Sequence, residues 1–190
     1  MNSKGLVVVI TAPSGSGKTT IYKKLLKMRP DISFSVSYTT RKRREEETDG
    51  VDYYFISREA FEAKIERGDF TEWAEVHGDL KGTDRKHLEE CLSRSNACIL
   101  DVDVQGALSI MKEFPKTVSV FIIPPDLEEL KRRLEGRGTE SGEALRIRLT
   151  NAQKELEYRD RFQYIVVNDT LETAVKRVEA IINSELQKRS

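Results

Sequence analysis

Residues 6–20 of this 190-residue chain read Leu6-Val-Val-Val-Ile10-Thr-Ala12-Pro-Ser-Gly15-Ser-Gly17-Lys18-Thr19-Thr20. The run Leu6–Ile10 is continuously apolar and rich in β-branched residues, which predicts a strand buried on both faces. A glycine-rich loop follows, and the composition of Lys18–Lys27 predicts a helix. A loop between a strand and a helix can turn successive backbone N–H groups toward one point, and the positive end of the helix dipole lies there too. The stretch therefore predicts a site for the phosphates of ATP or GTP.

The loop follows the phosphate-loop pattern G-x-x-x-x-G-K-[ST] except at its first position, which is Ala12. We expect Lys18 to reach the β- and γ-phosphates and the Thr19 hydroxyl to ligate Mg²⁺. An incidental Gly/Ser turn is the alternative, but the flanking strand and helix and the Lys-Thr pair disfavour it. The expected nucleotide-binding residues are Ala12, Pro13, Ser14, Gly15, Ser16, Gly17, Lys18, Thr19 and Thr20.

The rest of the chain alternates short apolar runs with longer helical patterns. Further strands are predicted at Ala97–Leu100, Val118–Ile123 and Tyr164–Val167. Strands separated by helices predict an α/β fold with a parallel sheet flanked by helices. The predicted helices after the first are Gln105–Lys112, Leu127–Glu135, Ser141–Arg159 and Leu171–Leu186.

Two segments break this alternation. Residues 33–87 contain short strands at Tyr53–Ile56 and Phe70–Val76 around a helix at Arg58–Arg67, which predicts a small inserted α+β lobe. Gly136–Gly142 holds three glycines in seven residues, a composition typical of a mobile flap.

Charge and cysteine content exclude several classes of protein. Lys plus Arg and Asp plus Glu both number 32, so the net charge of +0 argues against a nucleic-acid or acidic-membrane binder. No apolar run approaches the roughly 20 residues that span a bilayer, and we expect no signal peptide. Cys91 and Cys98 form no CxxC pair, so we expect free thiols in a reducing compartment. A cytoplasmic protein is predicted, rather than a secreted, membrane-bound or disulfide-stapled one.

Asp101 directly follows the predicted strand Ala97–Leu100. A carboxylate there lies at the carboxyl edge of the sheet, where open α/β sheets bind ligands, and we expect it to hold Mg²⁺ through water. Asp103 shares a face with Asp101 if the strand continues. Taken alone, an Asp in this position more often caps the following helix.

Several unusual motifs occur in one order along the chain. They are Ser35-Val-Ser-Tyr-Thr-Thr-Arg41, Asp49-Gly-Val-Asp-Tyr53, Glu72-Trp-Ala74, Gly82-Thr83, Ile99-Leu-Asp-Val-Asp-Val-Gln-Gly106, Arg133-Leu-Glu-Gly-Arg-Gly-Thr-Glu140 and Val167-Asn-Asp169. With them the chain closely resembles the guanylate kinases, ATP:GMP phosphotransferases, over nearly its whole length. The resemblance implies a core (1–32, 92–132 and 150–190), a GMP-binding lobe (33–91) and a lid (133–149).

The resemblance also implies which residues bind GMP. Arg41, Arg44 and the Tyr53 hydroxyl match the positions that hold the GMP phosphate, and planar guanidinium groups suit phosphate oxygens. Glu72 matches the residue that accepts hydrogen bonds from guanine N1–H and the 2-amino group; taken alone, it reads as an ordinary exposed strand residue. The expected substrate-binding residues are Ser37, Arg41, Arg44, Tyr53, Glu72, Lys81, Gly82, Thr83 and Asp103.

On the ATP side, the resemblance implies a phosphate clamp on and beside the lid. Phosphoryl transfer depends mainly on positioning and charge stabilisation, so cations delivered by a closing lid are the expected catalytic groups. The expected catalytic residues are Lys18, Arg41, Arg133, Arg137 and Arg148. Asn168 and Asp169 match a segment near the adenine. On a bare helix, Lys131–Arg133 would more often be a solvated face.

The chain departs from the family at two further places. The family usually has Pro-Arg-Pro-Gly around Arg44, where this chain has Arg43-Arg44-Glu45-Glu46. Without the resemblance, the whole charged run Arg41–Glu47 reads as a solvated, self-neutralised loop. The family commonly has a phosphate-binding tyrosine where this chain has Lys81, and our hypothesis is that the Lys81 ammonium replaces that hydroxyl.

The predicted reaction is direct in-line transfer from MgATP to GMP in purine nucleotide metabolism, with dGMP as a further acceptor. A monomer or small homo-oligomer is expected, with no nucleic-acid or membrane partner. One alternative is a non-catalytic peptide-binding module of the kind found in scaffold proteins, which need not retain Lys18 or Asp101. Another is a sugar-phosphate kinase, which has no reason to keep Ser37 and Glu72.

Overall fold

The computed structural model describes residues 5–76, 78–136 and 142–189. The strands are β1 (Leu6–Thr11), β2 (Ile32–Ser35), β3 (Tyr38–Thr39), β4 (Tyr54–Phe55), β5 (Phe70–Val76), β6 (Asp79–Asp84), β7 (Ala97–Asp101), β8 (Val118–Ile123) and β9 (Tyr164–Val167). The helices are α1 (Lys18–Met28), α2 (Arg58–Glu66), α3 (Arg85–Arg94), α4 (Val104–Glu113), α5 (Leu127–Glu135), α6 (Gly142–Leu156) and α7 (Leu171–Gln187). A 3₁₀ turn follows α6 at Arg159–Arg161.

The chain divides into two compact units. Unit 1 contains residues 5–8 and Asp31–Thr117, and unit 2 contains Val9–Pro30 and the chain from Val118 onward. In the five-stranded sheet, hydrogen-bonded neighbours follow the order β2-β7-β1-β8-β9. The α/β class with a parallel sheet and flanking helices is confirmed.

Unit 1 holds two pieces of sheet. β2 runs parallel to β7, with Ile32 opposite Ala97 and Ser35 opposite Leu100. A separate four-stranded sheet has the order β4-β3-β6-β5, in which β6 is antiparallel to both neighbours. Behind it lies a small core of Phe61, Phe70 and Leu80, where the two phenylalanine rings stack 4.4 Å apart. This packing fixes the register of β5 against β6, because a shift by one residue would turn the buried side chains outward.

Unit 2 contains the parallel pair β8 and β9, in which Val120 lies opposite Tyr164 and Ile123 opposite Val167. Leu130 and Leu134 of α5 pack on Ala152 of α6 in a separate buried cluster. In five of the described helices, the side chain of the N-cap residue accepts a hydrogen bond from a backbone N–H of the first turn. The caps are Ser57, Asp84, Asp103, Asp126 and Thr170. No helix among the described residues is long and apolar enough to span a bilayer.

The sequence patterns missed four elements of unit 1, the strands β2, β3 and β6 and the helix α3. The short strand β2 was not predicted, because the alternation Ile32-Ser-Phe-Ser35 is only four residues long, the shortest pattern that indicates a strand. Helix α3 was not predicted either, because its helical spacing of apolar residues, Leu88, Cys91 and Leu92, extends over little more than one turn of the ten residues. The predicted helix Ser141–Arg159 ends earlier, at Leu156. The glycine-rich flap falls largely on 137–141, which lie outside the described residues.

The prediction of two free thiols is wrong, because Cys91 and Cys98 form a disulfide. Cys91 lies near the end of α3 and Cys98 is the second residue of β7, and the short connection between them folds the helix back on the strand. The two Cα atoms are therefore 5.8 Å apart, within the range that a disulfide spans. Without α3, the spacing of seven residues gave no sign of this approach.

Candidate active site

The phosphate loop in unit 2 has the conformation that its sequence requires. Gly15 and Gly17 have φ angles of 90° and 85°, in the left-handed region that favours glycine. Gly17 is the N-cap of α1, and neither a capping side chain nor a first-turn acidic residue satisfies the N–H groups there. This end of α1 therefore keeps the N–H groups and the positive dipole that bind an anion.

Arg148 lies beside this loop. Its Nη2 donates to the Ser14 hydroxyl at 3.2 Å, so α6 brings one of the predicted clamping arginines to the loop. At the other end of the loop, Thr19 and Thr20 are exposed in the first turn of α1. Their hydroxyls are open to a ligand there.

Arg133 and Asn168 also contact the loop. Asn168 is 6% exposed, and its Nδ2 donates to the Ser16 carbonyl at 2.8 Å. Arg133 donates from Nη2 to the Asn168 carbonyl at 3.0 Å and from Nη1 to the Ser16 carbonyl at 3.5 Å, while its Nε is held by Glu129. Arg132 lies on a solvated helix face, as the alternative interpretation of Lys131–Arg133 predicts: its side chain is 78% exposed, compared with 25% for Arg133.

Asp169 has a different environment from its neighbour. It is exposed and accepts from Arg177 and from the Thr170 N–H, and these contacts lower its pKa. Arg137, the remaining predicted clamping residue, lies outside the described residues.

A buried polar cluster lies at the junction of β5, β6 and α4 in unit 1. Glu72 is opposite Thr83 in the strand pair, and its Oε1 accepts from the Thr83 hydroxyl at 2.6 Å. Glu72 is only 8% exposed, so the interpretation of this position as an ordinary surface residue is excluded. Ser37, at the start of the same sheet, is 5% exposed.

Asp103 and Gly106 hold the α4 side of this cluster. Asp103 caps α4 by accepting from the Gly106 N–H at 2.7 Å, as the capping alternative predicts. A Cβ on Gly106 would lie 2.7 Å from Glu72 Oε2 and 3.3 Å from Asp103 Oδ1. Gly106 therefore leaves the space that the Glu72 carboxylate occupies.

The pKa of Glu72 is raised to about 7, mainly by burial; the Thr83 hydrogen bonds oppose this shift and the nearby Asp103 charge adds to it. A carboxylate removed from water is costly unless donors surround it. The two N–H donors of a guanine edge would satisfy this need.

Arg41 lies among aromatic rings and acidic side chains. Its guanidinium carbon is 5.6 Å from the centre of the Tyr53 ring and 5.7 Å from that of Phe55. Lys81 Nζ is 5.7 Å from the centre of the same Tyr53 ring. Burial and the Asp101 charge both raise the pKa of the Tyr53 hydroxyl, which stays protonated as a donor. The structure thus brings together three residues of the predicted GMP-phosphate site.

Glu47 organises the arginine loop and was not among the predicted site residues. It accepts from Arg41 Nη2 at 2.7 Å and from the Arg44 N–H at 2.9 Å, and its carbonyl accepts from Arg43. Burial alone would raise the pKa of Glu47, but the hydrogen bonds from Arg41 and Arg44 outweigh it and lower that pKa. The mixture of basic and acidic residues in this loop predicted that its charges neutralise one another, and the structure shows that Glu47 is the acidic residue that pairs with Arg41.

Comparison with known proteins agrees with these features. The sequence model of the family described as Guanylate kinase matches residues 4–185. The chain belongs to the guanylate kinase family. It is 48% identical over 185 residues to guanylate kinase of Thermotoga maritima, covering 97% of this chain and 89% of that relative. It is 44% identical over 186 residues to the Myxococcus xanthus guanylate kinase, with the same coverages of 97% and 89%.

Solved structures show the same relationship. The crystal structure of guanylate kinase from Anaplasma phagocytophilum matches with a TM-score of 0.81 and 34% identity, covering 98% of this chain and 88% of that one. The structure of TT1252 from Thermus thermophilus matches with a TM-score of 0.53 at 19% identity, which is a likeness of fold alone.

The predicted magnesium ligands are a hydroxyl and a single carboxylate. Thr19 is exposed in the first turn of α1, and Asp101 is half-buried at the end of β7. The described residues contain no group of three or more His, Cys, Asp or Glu side chains that could form a metal cage. This donor set fits Mg²⁺, which keeps several waters and binds one or two protein oxygens together with substrate phosphates.

Proposed function

We propose that this protein transfers the γ-phosphoryl group of ATP to GMP, forming ADP and GDP, which is guanylate kinase activity (EC 2.7.4.8). Membership of the family supports the reaction. The observation that carries the acceptor assignment is the buried Glu72 carboxylate, hydrogen-bonded to Thr83 and close to Asp103. A phosphate loop alone fits many phosphotransferases, whereas this cluster fits a base with two adjacent N–H donors.

Guanine recognition follows from the chemistry of the cluster. Ionised Glu72 accepts from guanine N1–H and from the 2-amino group, whereas adenine has an acceptor at N1 and no 2-amino group. A site with buried polar groups rejects a ligand that leaves them unpaired by as much as about 10⁴-fold. Ser37, Gly82, Thr83 and Asp103 complete this side of the site.

The acceptor phosphate is held by cations and a hydroxyl. Arg41 and Lys81 lie at the Tyr53 ring, and Arg44 is in the loop that Glu47 organises. An oxygen of the GMP phosphate attacks the γ-phosphorus, a new P–O bond forms, and the bond to the ADP oxygen breaks. No covalent enzyme intermediate is required.

The donor nucleotide binds at the phosphate loop. The loop N–H groups and Lys18 hold the β- and γ-phosphates, and Arg133, Arg137 and Arg148 neutralise the charge of transfer. Thr19 and Asp101 would hold Mg²⁺, which would supply further charge neutralisation when bound. The segment at Asn168 and Asp169 lies toward the adenine. A lid at 133–149 closes over the nucleotide and excludes water.

The cellular assignment follows from the reaction. The protein acts in purine nucleotide metabolism on GMP and dGMP, in the cytoplasm, as a monomer or small homo-oligomer. It has no nucleic-acid or membrane partner. A disulfide is uncommon in that compartment, so Cys91–Cys98 is an exception to the general rule.

The experiment that tests this function measures ADP formation from MgATP with GMP, AMP, CMP and UMP in turn. Turnover is expected with GMP and not with the other three. Glu72→Gln is expected to lower kcat/KM for GMP at least 100-fold, because the amide presents a donor to one guanine N–H. Glu75→Gln, an exposed glutamate of the same strand, is the matched control. ADP binding without turnover of any acceptor would favour the non-catalytic binding module.

A further inference from the structure

We infer that the side chain of Asn168 positions the phosphate loop by holding the Ser16–Gly17 peptide. The inference rests on the proposed ATP site and concerns how that site is kept in shape. Asn168 is a positioning residue, since its side-chain amide contacts the loop backbone. The carrying observation is the hydrogen bond from Asn168 Nδ2 to the Ser16 carbonyl, 2.8 Å long, between two residues that are 6% and 1% exposed.

Peptide geometry connects this hydrogen bond to phosphate binding. The structure contains no cis peptide bond among its described residues, so the Ser16 C=O and the Gly17 N–H point in opposite directions from one plane. Fixing the carbonyl on Asn168 therefore aims the Gly17 N–H to the other side. That N–H stands at the N-cap of α1, where the phosphate-binding donors gather.

Asn168 is itself held from two sides. Its backbone N–H donates to the Ile123 carbonyl at 2.8 Å, which attaches it to the end of β8. Its carbonyl accepts from Arg133 Nη2, and Arg133 is held by Glu129 at 2.7 Å. The Asn168 amide is therefore a fixed donor on a rigid support.

The conformation of Gly17 depends on the same contact. A Cβ on Gly17 would lie 2.5 Å from Asn168 Nδ2, closer than any real contact. The absence of a side chain at Gly17 is what allows the amide to approach the loop. The pair thus has two requirements, a glycine at 17 and a donor at 168.

The first test compares Asn168→Ala with the unchanged protein. Losing the donor leaves the buried Ser16 carbonyl with only the long contact from Arg133 Nη1 at 3.5 Å, and the loop moves to satisfy it. We expect the Kd of a fluorescent ADP analogue and the KM for ATP to rise about tenfold, with the KM for GMP changed less than twofold. Equal increases in both KM values, or no change in the Kd, would overturn the inference.

The second test uses Asn168→Asp, whose carboxyl donates a hydrogen bond only when protonated. Burial raises the pKa of such a carboxyl and the neighbouring Arg133 guanidinium lowers it, so the donor returns toward the acidic end as the pH falls from 8.5 to 5.5. Each variant's affinity for the ADP analogue is expressed relative to the unchanged protein at the same pH. At low pH, Asn168→Asp is expected to bind the analogue more tightly than Asn168→Ala does. At high pH, it is expected to bind more weakly than Asn168→Ala. If protonation only removed the repulsion between the introduced carboxylate and the phosphates, the affinity of Asn168→Asp at low pH would equal that of Asn168→Ala. That result would contradict the inference.

Asn183→Asp is the matched control. Asn183 is an exposed residue of α7 that accepts from Arg29, and its substitution adds the same charge to unit 2 without touching the loop. Its affinity for the ADP analogue is expected to stay within twofold at every pH. Since these binding measurements need no GMP turnover, failure of the guanylate kinase assignment and failure of this inference remain distinguishable.

Discussion

The phosphate loop of unit 2 and the buried cluster of unit 1 bind their ligands in different ways. The loop offers backbone N–H groups whose directions are set by Gly15 and Gly17, within a few consecutive residues. The cluster offers side chains of Glu72, Thr83 and Asp103, which come from two strands and a helix. Recognition of phosphate by backbone groups is therefore determined by a local sequence pattern, while recognition of the base by side chains depends on how separate elements pack.

The two regions also differ in how they respond to pH. The loop binds through peptide groups that do not titrate. The cluster depends on Glu72, whose pKa burial raises to about 7. Substitutions that change the backbone conformation of the loop should therefore weaken ATP binding most. Substitutions that change the charge or volume of the buried cluster should weaken GMP binding most.

The largest expected effect is that of Gly17→Ala on the donor side. A side chain at this positive φ is strained, and its Cβ meets the Asn168 amide at 2.5 Å. The KM for ATP should rise about 100-fold in steady-state kinetics, with the KM for GMP little changed. Gly78→Ala is the control, because Gly78 has a φ of 86° and no atom within 4 Å of the added Cβ. An effect of Gly78→Ala as large as that of Gly17→Ala would contradict this account.

On the acceptor side, Gly106→Ala should raise the KM for GMP about 20-fold, because its Cβ displaces the Glu72 carboxylate and weakens charged hydrogen bonds. The KM for ATP should stay unchanged. In Glu72→Asp the side chain is one methylene shorter, so its carboxylate no longer reaches the Cβ that Gly106→Ala adds. The double variant should therefore be no worse than Glu72→Asp alone, and simple additivity of the two losses would argue against the contact.

The pH dependence of GMP binding tests the ionisation of Glu72. Its raised pKa means that the folded protein keeps the proton up to about pH 7, while the unfolded chain releases it near 4.5. The stabilising contribution of the protonated form is thus present below pH 4.5 and is lost as the pH rises through 7. Reading guanine requires the ionised form, so the KM for GMP should rise about tenfold from pH 8 to pH 6. Glu72→Gln removes this component and leaves only the titration of GMP itself, so identical profiles would disprove the prediction.

A smaller effect is expected for Lys81→Met. The ammonium lies beside the Tyr53 ring together with Arg41. Its loss should raise the KM for GMP about fivefold, since one charge-assisted hydrogen bond is removed while Arg41 remains. Lys86→Met, an exposed lysine of α3, serves as the control. An unchanged KM for GMP would show that Lys81 does not replace the tyrosine hydroxyl.

The smallest effect on catalysis is expected from the disulfide. The bond between Cys91 and Cys98 closes a short loop, and the loop-entropy relation gives it about 2 kcal/mol of unfolding free energy. Reductant should lower the Tm and leave both KM values unchanged. The double variant Cys91→Ala with Cys98→Ala should be insensitive to reductant. A Tm that reductant does not move would contradict a stabilising disulfide.

Local patterns determined much of this protein. The strand β8 and the helix α5 have their predicted ends, because continuous apolar runs and N-capping residues are short-range signals. The phosphate loop was readable for the same reason. The resemblance to guanylate kinases supplied the roles of Glu72 and Arg41, which composition and spacing alone left as surface charges.

Tertiary structure decided the rest. The burial of Glu72 and its raised pKa arise because β5, β6 and α4 exclude water from one carboxylate. The role of Glu47 depends on how the arginine loop closes on itself. The contact of Asn168 with Ser16 joins residues 152 positions apart, and the pairing of Cys91 with Cys98 requires α3 to fold back on β7. Sequence periodicity records which residues prefer to be buried, but distances between side chains from separate elements arise only when those elements pack.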